Sequence, residues 1–446
     1  MNISKHTSKL KGSASIKALT IFCLIIILMI PNFKIKRLIQ ERSLRKATVE
    51  REVAKSYGLA QKVTSPIIRI PYTYNYTVED DDKEKELTKT GFINFSPKST
   101  AINGQVNTET RERSIFDILV YNSMLDIEQT FDLSQVNLSK YDKYDLHYDE
   151  AYMIYGVSDP NGISSEMSFA VNGQTLDSEG LVTNNSGKRS YIKSSPFTLD
   201  LSKKINVKTK SSFKGTSSVA FEPIGESFST NISSPWPHPS FTGSKLPNRY
   251  DISEAGFESQ WSLNKFANAI PKVWENNHVN IHQSAFGVNF IQPLDEYGKN
   301  TRTAKYALLI IVLCFAMYFI FEILQKKPMH PIQYILVGSA ITVFFLLLIS
   351  LSEHIGYNMA YLISSVATIG LISLYSSFIL SSLMSTLVLS SLLSGLFGYI
   401  YLILQMQDFA LLAGSLALFV VIAAVMMLSR NVNWYALKTG PQSIQT

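Results

Sequence analysis

Glu353 and His354 are adjacent side chains that could pass a proton or bind a metal ion, and they stand between two long apolar runs. Inside a membrane, such a pair would indicate a proton relay or a metal site. Gly356 and Asn358 follow within the stretch SEHIGYN, and both residue types favour turns. We therefore interpret Ser350–Asn358 as an extracytoplasmic turn in which both side chains reach interfacial water. A functional role for the pair is the alternative.

Two short motifs imitate those of penicillin-recognising serine enzymes. SLNK at Ser262–Lys265 fits S-x-x-K, and KTG at Lys438–Gly440 fits the third motif of that class. The topology predicted below places the two on opposite sides of a membrane, so they cannot form one site. We expect no catalytic residue, cofactor or metal site, since no zinc-type cluster, P-loop or dinucleotide glycine pattern is present.

His238 lies in the segment SSPWPHPSF, bracketed by Pro237 and Pro239 and preceded by Trp236. Prolines fix the backbone, so this segment predicts a rigid corner whose tryptophan packs on a sheet. A contact surface is the alternative interpretation. Five residues are our candidates for an interaction surface: Trp236, His238, Glu353, His354 and Asp408.

Apolar runs that could span a membrane dominate the C-terminal third of the chain. A spanning helix takes about 20 mostly apolar residues. Six segments meet or approach this length: roughly Ala18–Phe33, Tyr306–Leu324, Ile332–Leu351, Met359–Leu380, Leu383–Leu404 and Phe409–Leu428. The first follows a basic stretch and lacks a small-residue cleavage pattern, which predicts an uncleaved signal anchor.

Lysines and arginines in short loops predict the orientation, because they favour the cytoplasmic side. They fall in the N-terminal segment, in the loop QKKPMH and in the tail, whereas the short loops on the other side carry Glu353 and Asp408. The basic stretch Lys34–Arg37 opposes this arrangement, but long segments translocate despite such charges. Residues 1–17 and 429–446 are therefore predicted to be cytoplasmic.

Ionisable residues are almost absent within the spans, which argues against a proton-driven transporter. Glu322 precedes Lys326 by four residues, and we interpret the two as an interfacial ion pair. Small residues at four-residue spacing predict close helix packing in a compact bundle. These residues are Ser391, Ser394, Gly395 and Gly398.

Residues 34–303 form a polar middle of different character. We expect the anchor helix to continue outward to about Tyr57. Short runs rich in β-branched and aromatic residues then alternate with turn residues, which predicts a β-rich, sandwich-like domain with antiparallel strands. Within it we expect a hairpin around Pro223–Gly225 and one helix in the segment SLNKFANAIPKVW.

The overall charge and the cysteines exclude other classes. The net charge of +6 over 446 residues is modest, and no block of like charges indicates a nucleic-acid partner. Cys23 and Cys314 both lie in apolar runs, so a disulfide framework is not expected in the polar middle.

Seven stretches, in order from about Ile102 to Tyr435, resemble the CreD family of inner-membrane proteins linked to cell-envelope integrity. They are INGQVNTETRERSIFDILVY, SSPWPHPSF, AFGVNFIQPLDEY, KYALLIIVLCFAMYFIFE, HPIQYILVG, LSLSEHIGYN and DFALLAGSLALFVVIAAVMMLSRNVNWY. The resemblance implies the inner membrane of a Gram-negative-type bacterium, a periplasmic middle domain and a link to envelope stress. It supplies no catalytic mechanism.

These observations predict a mixed membrane protein with an N-terminal signal-anchor helix at 18–33, a β-rich periplasmic domain at 34–303 and a bundle of five transmembrane helices at 304–428. We expect a non-enzymatic contribution to envelope integrity or the envelope-stress response. The expected partners are the lipid bilayer and an envelope component or a periplasmic or inner-membrane protein. The open alternatives are an envelope hydrolase acting through Ser262 or His238, and a lipid or drug transporter.

Overall fold

The structure is a computed structural model that describes residues 14–80, 83–183, 190–268, 270–276, 279, 284–292, 296–325, 328–380, 382–405 and a few isolated positions after residue 405. The chain divides into two compact units. The helical unit comprises Met1–Lys46 and Leu294–Thr446, and the β-rich unit comprises Ala47–Pro293.

The helices with described bounds are α1 (Ala14–Tyr57), α2 (Glu296–Lys305), α3 (Ala307–Gln325), α4 (Pro331–Ile355), α5 (Tyr357–Leu380) and α6 (Leu383–Gln405). Within the described ranges, α1, α4, α5 and α6 are long and apolar enough to span a membrane. Helices α2 and α3 meet at a bend of 42° and together could form a fifth span. The predicted span Phe409–Leu428 lies mostly outside the described residues.

Helix α1 continues beyond its apolar part to Tyr57, as predicted, and it is followed by Gly58, whose φ of +139° favours glycine.

Helix α1 runs parallel to α4. Asn32 Nδ2 of α1 lies 3.5 Å from Thr342 Oγ1 of α4, which is 310 residues later in the chain. One helical turn before this contact, Gly338 of α4 faces Leu28 of α1. A Cβ at Gly338 would overlap Leu28, so the glycine allows these helices to approach closely.

The β-rich unit is built from strands and short 3₁₀ turns, which include Ser139–Tyr141, Tyr148–Glu150 and Pro160–Gly162 among the described residues. The strands are β1 (Gln61–Asp80), β2 (Lys83–Phe95), β3 (Ser99–Arg113), β4 (Phe116–Asp132), β5 (Asp145–Leu146), β6 (Tyr152–Val157), β7 (Ser168–Val171), β8 (Gln174–Thr183), β9 (Ser190–Ser194), β10 (Lys204–Thr216), β11 (Ser218–Glu222), β12 (Ser227–Ser234), β13 (Pro239–Gly243), β14 (Arg249–Ser253), β15 (Gly256–Leu263), β16 (Val273–Glu275) and β17 (Phe286–Phe290).

These strands form two sheets. In the first sheet, β1 pairs antiparallel with β2 and β6 and parallel with β11, which continues to β17 and β13. The second sheet has the order β14–β15–β12–β3–β4–β10–β7–β8 and is antiparallel except for the pair β12–β3. Strand β8 joins the sheets, because its first half pairs with β7 and its second half with β9.

The large hydrophobic core of this unit contains buried side chains from both sheets. A second buried cluster, which includes Ile67, Ile154 and Trp274, lies apart from it. Phe228 and Trp261 come from the second sheet, and both rings contact Phe286 of the first sheet, with ring centroids 5.9 and 5.4 Å apart. The alternation of buried and exposed side chains along β3, β4, β12 and β15 leaves the second sheet with a polar outer face.

The helix predicted in SLNKFANAIPKVW is wrong for the residues that the structure describes there, 262–268 and 270–274. Strand β15 continues to Leu263 because its side chains alternate between core and solvent. The Asn264 side chain then accepts the backbone N–H groups of Phe266 and Ala267 and forms a turn that competes with helix.

The hairpin predicted around Pro223–Gly225 is also wrong. Strand β11 pairs with β1 and β17, whereas β12 pairs with β15 and β3. The segment therefore carries the chain from one sheet to the other. Ile224 is buried in it, and Asn268 Nδ2 donates to the carbonyl oxygens of Pro223 and Gly225 at 3.2 and 2.9 Å.

Candidate functional site

Glu353 and His354 lie on the last turn of α4, not in an extended loop. Helix α4 continues to Ile355, and α5 begins at Tyr357. Gly356 alone makes the turn, with a φ of +73° that favours glycine. The predicted turn over Ser350–Asn358 is therefore too long. His354 is exposed, while Glu353 points inward and its side chain is 11% exposed.

Two side chains from distant parts of the chain hold the Glu353 carboxylate. The Tyr297 hydroxyl, on α2, donates to Oε1 at 3.0 Å. Arg42 Nε, on α1, lies 3.7 Å from the same oxygen. Glu353 therefore connects three helices of the helical unit, and interpreting it as a solvated loop residue is wrong.

Further hydrogen bonds surround this carboxylate and consolidate the same end of the helical unit. Asn300 Nδ2 donates to Ser352 Oγ at 2.8 Å, and the hydroxyl groups of Thr303 and Tyr357 lie 2.8 Å apart. Tyr297, Asn300 and Thr303 all lie on the buried face of α2. A carboxylate held by a tyrosine and an arginine in this way can fix helix positions, and no metal-binding group of three or more His, Cys, Asp or Glu occurs in the searched, described residues.

Glu322 marks the opposite end of the helical unit and is buried. Its carboxylate pairs with Lys17 of α1 and accepts a hydrogen bond from the Tyr334 hydroxyl of α4 at 3.1 Å. Helical spacing predicts Lys326 as its partner, but that lysine lies outside the described residues. Glu322 thus joins α1, α3 and α4, as Glu353 joins α1, α2 and α4.

Trp236 and His238 form a corner of the β-rich unit. The Trp236 indole packs against the core and donates from Nε1 to the carbonyl oxygen of Ile291 at 3.0 Å. His238 is exposed, with its ring edge-on to the tryptophan at 6.1 Å between centroids. The rigid corner therefore exists, and its use as a contact surface remains a prediction.

An open cleft of about 630 Å³ lies on the outer face of the second sheet. Strands β3, β4, β12, β14 and β15 line it, and they contribute amide, carboxyl, hydroxyl and guanidinium side chains, among them Asn103, Asn231, Arg249 and Glu258. A neighbouring hollow of about 390 Å³ shares four of the lining residues and reaches Pro235, directly before Trp236. The proline-rich corner thus begins at the border of this cleft.

The residues of the possible serine hydrolase do not form a visible catalytic arrangement among the described contacts. Ser262 lies on the outer side of β15, where its backbone N–H donates to Asn248 Oδ1 at 2.6 Å. The Lys265 ammonium lies 5.1 Å from the centroid of the Phe266 ring. The third motif, Lys438–Gly440, lies outside the described residues.

The remaining predicted site residues separate into two groups. Asp408 lies outside the described residues. The four small residues of α6 are exposed, and a Cβ at either glycine would meet no atom of the described residues within 4 Å; they are Ser391, Ser394, Gly395 and Gly398. The buried side of α6 is formed by larger residues such as Leu393 and Phe397, so a packing role for the small residues remains a prediction.

Sequence reasoning missed the partners of Glu353 and the polar cleft. The spacing of Tyr297, Asn300 and Thr303 is that of one helix face and could have indicated a polar helix before the span. Arg42 and Lys17 carried no local signal, because each pairs with a residue that is far away in the chain.

Known proteins similar to this chain place it in a family. The family model described as "Inner membrane protein CreD" matches residues 13–435. Inner membrane protein CreD of Escherichia coli (strain K12) is 33% identical over 433 residues, which cover 96% of this chain and 95% of that protein. A putative protease from Parabacteroides distasonis ATCC 8503, known by crystal structure, is 11% identical over 56% of this chain and 50% of that chain, and its TM-score of 0.22 supports no argument. The family match and the Escherichia coli relative both span nearly the whole chain, and this protein belongs to the CreD family of inner membrane proteins.

Proposed function

We propose that this inner membrane protein contributes to envelope integrity or the envelope-stress response by binding an envelope component or a partner protein through its β-rich unit. The observation that carries this proposal is the polar cleft on the outer face of the second sheet. A sheet of this size buries a core on one face only, and its outer face is free to evolve a binding surface. In this proposal, the helical unit anchors the β-rich unit to the bilayer.

The two ends of the helical unit support this anchoring role. Lys17 and Arg42 lie 25 residues apart on α1, which corresponds to about 37 Å of helix, a little more than the roughly 30 Å of bilayer hydrocarbon. Each forms an ion pair with a partner from the C-terminal helices. Charged pairs at both ends with apolar helix between them fit a bundle whose ends reach the two membrane surfaces.

The distribution of basic residues supports cytoplasmic termini and a periplasmic β-rich unit. Fusions of a reporter enzyme that is active only in the periplasm test this orientation. Gly173 suits one fusion, because it lies at the tip of the β7–β8 turn with open space around it. We expect activity at Gly173 and none at Asn433, and the reverse pattern would refute the orientation.

We propose no enzymatic activity for the β-rich unit. The alternative hydrolase would need a base close to Ser262, and the described neighbours of its backbone are Asn248 and the β12 partner Ser229. We likewise propose no transport role, because the polar groups that meet in the middle of the helical unit, such as Asn32 and Thr342, are uncharged.

Complementation of cells that lack the protein tests the binding role. The double variant Asn103→Ala/Asn231→Ala removes a hydrogen-bonded amide pair from the cleft. Asn75→Ala is a matched control, because it removes an exposed amide that bonds Thr88 on the first sheet. At equal membrane levels, we expect the control to rescue envelope-stress sensitivity and the double variant to fail. Full rescue by the double variant would contradict a function for the cleft.

A further inference from the structure

Strand register arranges the cleft residues in two straight rows. Five neighbouring strands place the members of each row directly opposite one another. The first row is Asp126, Asn103, Asn231, Gln260 and Arg249. The second row lies two residues away from the first on every strand and consists of Met124, Gln105, Ser233, Glu258 and Asp251. Neighbouring strands lie about 4.8 Å apart, so each row extends over roughly 19 Å.

Side chains, and not backbone groups, must recognise a ligand on this face. The row residues alternate with buried neighbours such as Leu125 and Ile232, which point into the core. The strands between β14 and β4 are paired on both sides, so their N–H and C=O groups are already used within the sheet. A peptide strand therefore could not add to the sheet at β15, β12 or β3, whereas β14 pairs only with β15 among the described strands.

The charge and polarity of the rows narrow the class of ligand. Asp126, Glu258 and Asp251 outnumber Arg249, the basic residue of the two rows. Lys210 of the next strand, β10, lies 3.9 Å from Asp126, so the carboxylates still exceed the basic groups by one and disfavour an anionic ligand. Met124 and Tyr250, which are 58% and 63% exposed, offer apolar surface along the cleft, and they lie at opposite ends of it, on β4 and β14. An acyl chain or an apolar peptide would therefore find no continuous apolar surface between them.

The amides at the centre of the cleft are preorganised for a ligand that both donates and accepts hydrogen bonds. Asn231 Nδ2 donates to Asn103 Oδ1 at 3.1 Å, which orients both groups. This bond uses the Asn231 NH₂ group and the Asn103 carbonyl oxygen, and the Asn103 NH₂ group and the Asn231 carbonyl oxygen are the other donor and acceptor of the pair. Gln105 and Gln260 add further donors and acceptors nearby. Sugar hydroxyl and N-acetyl groups are matched to such a mixture, because each can pair with amide, carboxylate or hydroxyl side chains.

We propose that this cleft binds a neutral oligosaccharide, with successive sugar rings lying along the two rows and across the strands. The chemical class is a short hexose or N-acetylhexosamine chain that carries no phosphate or sulfate. The inference rests on the proposed function, since it names the envelope component that the β-rich unit would bind.

Calorimetric titration of the full chain in lipid nanodiscs tests this ligand class. Chitotetraose, cellotetraose and maltotetraose are the neutral probes, and a sulfated oligosaccharide of similar length is the anionic probe. We expect saturable binding of at least one neutral probe and none of the anionic probe. Asn103→Ala/Asn231→Ala should weaken binding by about tenfold or more, through the loss of one or two hydrogen bonds, while Asn75→Ala should not.

The outcomes separate the ligand class from the proposed function. Lack of binding by all neutral probes at millimolar concentration, or equal binding by the anionic probe, would overturn the saccharide proposal. If the double variant nevertheless fails to complement, the cleft has a function but takes another ligand. If the double variant also complements fully, the proposed function fails as well. Glu258→Gln is a second variant for binding, since it keeps the side-chain size and removes one charge.

Discussion

Arg42 Nε lies 3.7 Å from Glu353 Oε1, so an ion pair joins the N-terminal helix to the last turn of α4. The Tyr297 hydroxyl donates to the same carboxylate oxygen and adds the start of the C-terminal helices to this contact. Together with the Lys17–Glu322 pair at the other end, these contacts make α1 a member of the helical bundle. Retention of α1 as an uncleaved anchor stays a prediction from the sequence.

Substitution of Glu353 should destabilise the helical unit in a graded way. Glu353→Ala removes the carboxylate that accepts the Tyr297 hydroxyl and pairs with Arg42, and it should cost about 1–3 kcal/mol. Glu353→Gln keeps an acceptor oxygen and loses only the partly exposed ion pair with Arg42, so it should cost less than about 1 kcal/mol. Thermal unfolding of the purified protein in detergent measures both.

His354→Ala is the matched control for Glu353, because the neighbouring histidine is exposed on the same helical turn. Its effect should stay within about 0.5 kcal/mol. An equal loss of stability in His354→Ala and Glu353→Ala would mean that the end of α4, and not the carboxylate contacts, determines the result.

Gly338→Val should loosen the packing between α1 and α4. The added side chain would overlap Leu28 and crowd Phe315, whose Cζ lies 3.0 Å from the Cβ position, and overpacking of this kind costs about 1–3 kcal/mol. Gly395→Val on α6 is the control, because a Cβ there meets no atom within 4 Å in the part of the chain that the structure describes. Leu28→Ala combined with Gly338→Val should restore part of the loss in a double-mutant cycle. Additive effects of these two substitutions would contradict the contact.

High pH should destabilise the β-rich unit through buried phenols. Burial, followed by the hydrogen bond that Tyr72 donates to Glu275 at 2.6 Å, raises the pKa of Tyr72 from 10.0 to about 12. The folded protein thus holds this proton longer than the unfolded chain does. The resulting stability is fully present below pH 10 and is lost as pH rises through 12.

Chemical unfolding of Tyr72→Phe at a series of alkaline pH values checks this effect. The variant should lose stability at neutral pH, because it lacks one hydrogen bond, but its stability should fall less steeply between pH 10 and 12 than that of the native protein. Tyr76→Phe, at a more exposed position on the same strand, should keep the native slope. Identical slopes in all three proteins would show that Tyr72 does not contribute.

Local patterns in the sequence were sufficient to predict the apolar helices and the β-rich middle, because run length and side-chain alternation are local properties. Local patterns failed where contacts between residues distant in the chain determine the structure. The turn residues Gly356 and Asn358 predict a loop over Ser350–Asn358, yet α4 continues as far as Ile355, and its Glu353 contacts partners on α1 and α2. Glu322 likewise pairs with Lys17, which no spacing rule within its own helix could indicate.

The cleft shows that strand pairing in the sheets could not be predicted from local patterns either. Alternation along β3, β12 and β15 identifies which residues point outward, and that much was present in the sequence. The rows exist only because β12 pairs with β3 and with β15, strands that are distant or separated in the chain. The hairpin predicted between β11 and β12 was wrong for the same reason, since pairing between strands is not a local property.

Photo-crosslinking in intact cells tests the central claim most directly. A photoreactive residue at Ser233 stands in the middle of the second row, and the same residue at Asn75 samples an exposed strand of the first sheet. Probes at Trp236 and His354 sample the two contact surfaces predicted from the sequence. If the cleft is the binding surface, Ser233 yields a reproducible adduct with an envelope component or partner and Asn75 yields none. Adducts at Trp236 or His354, with none at Ser233, would contradict that placement.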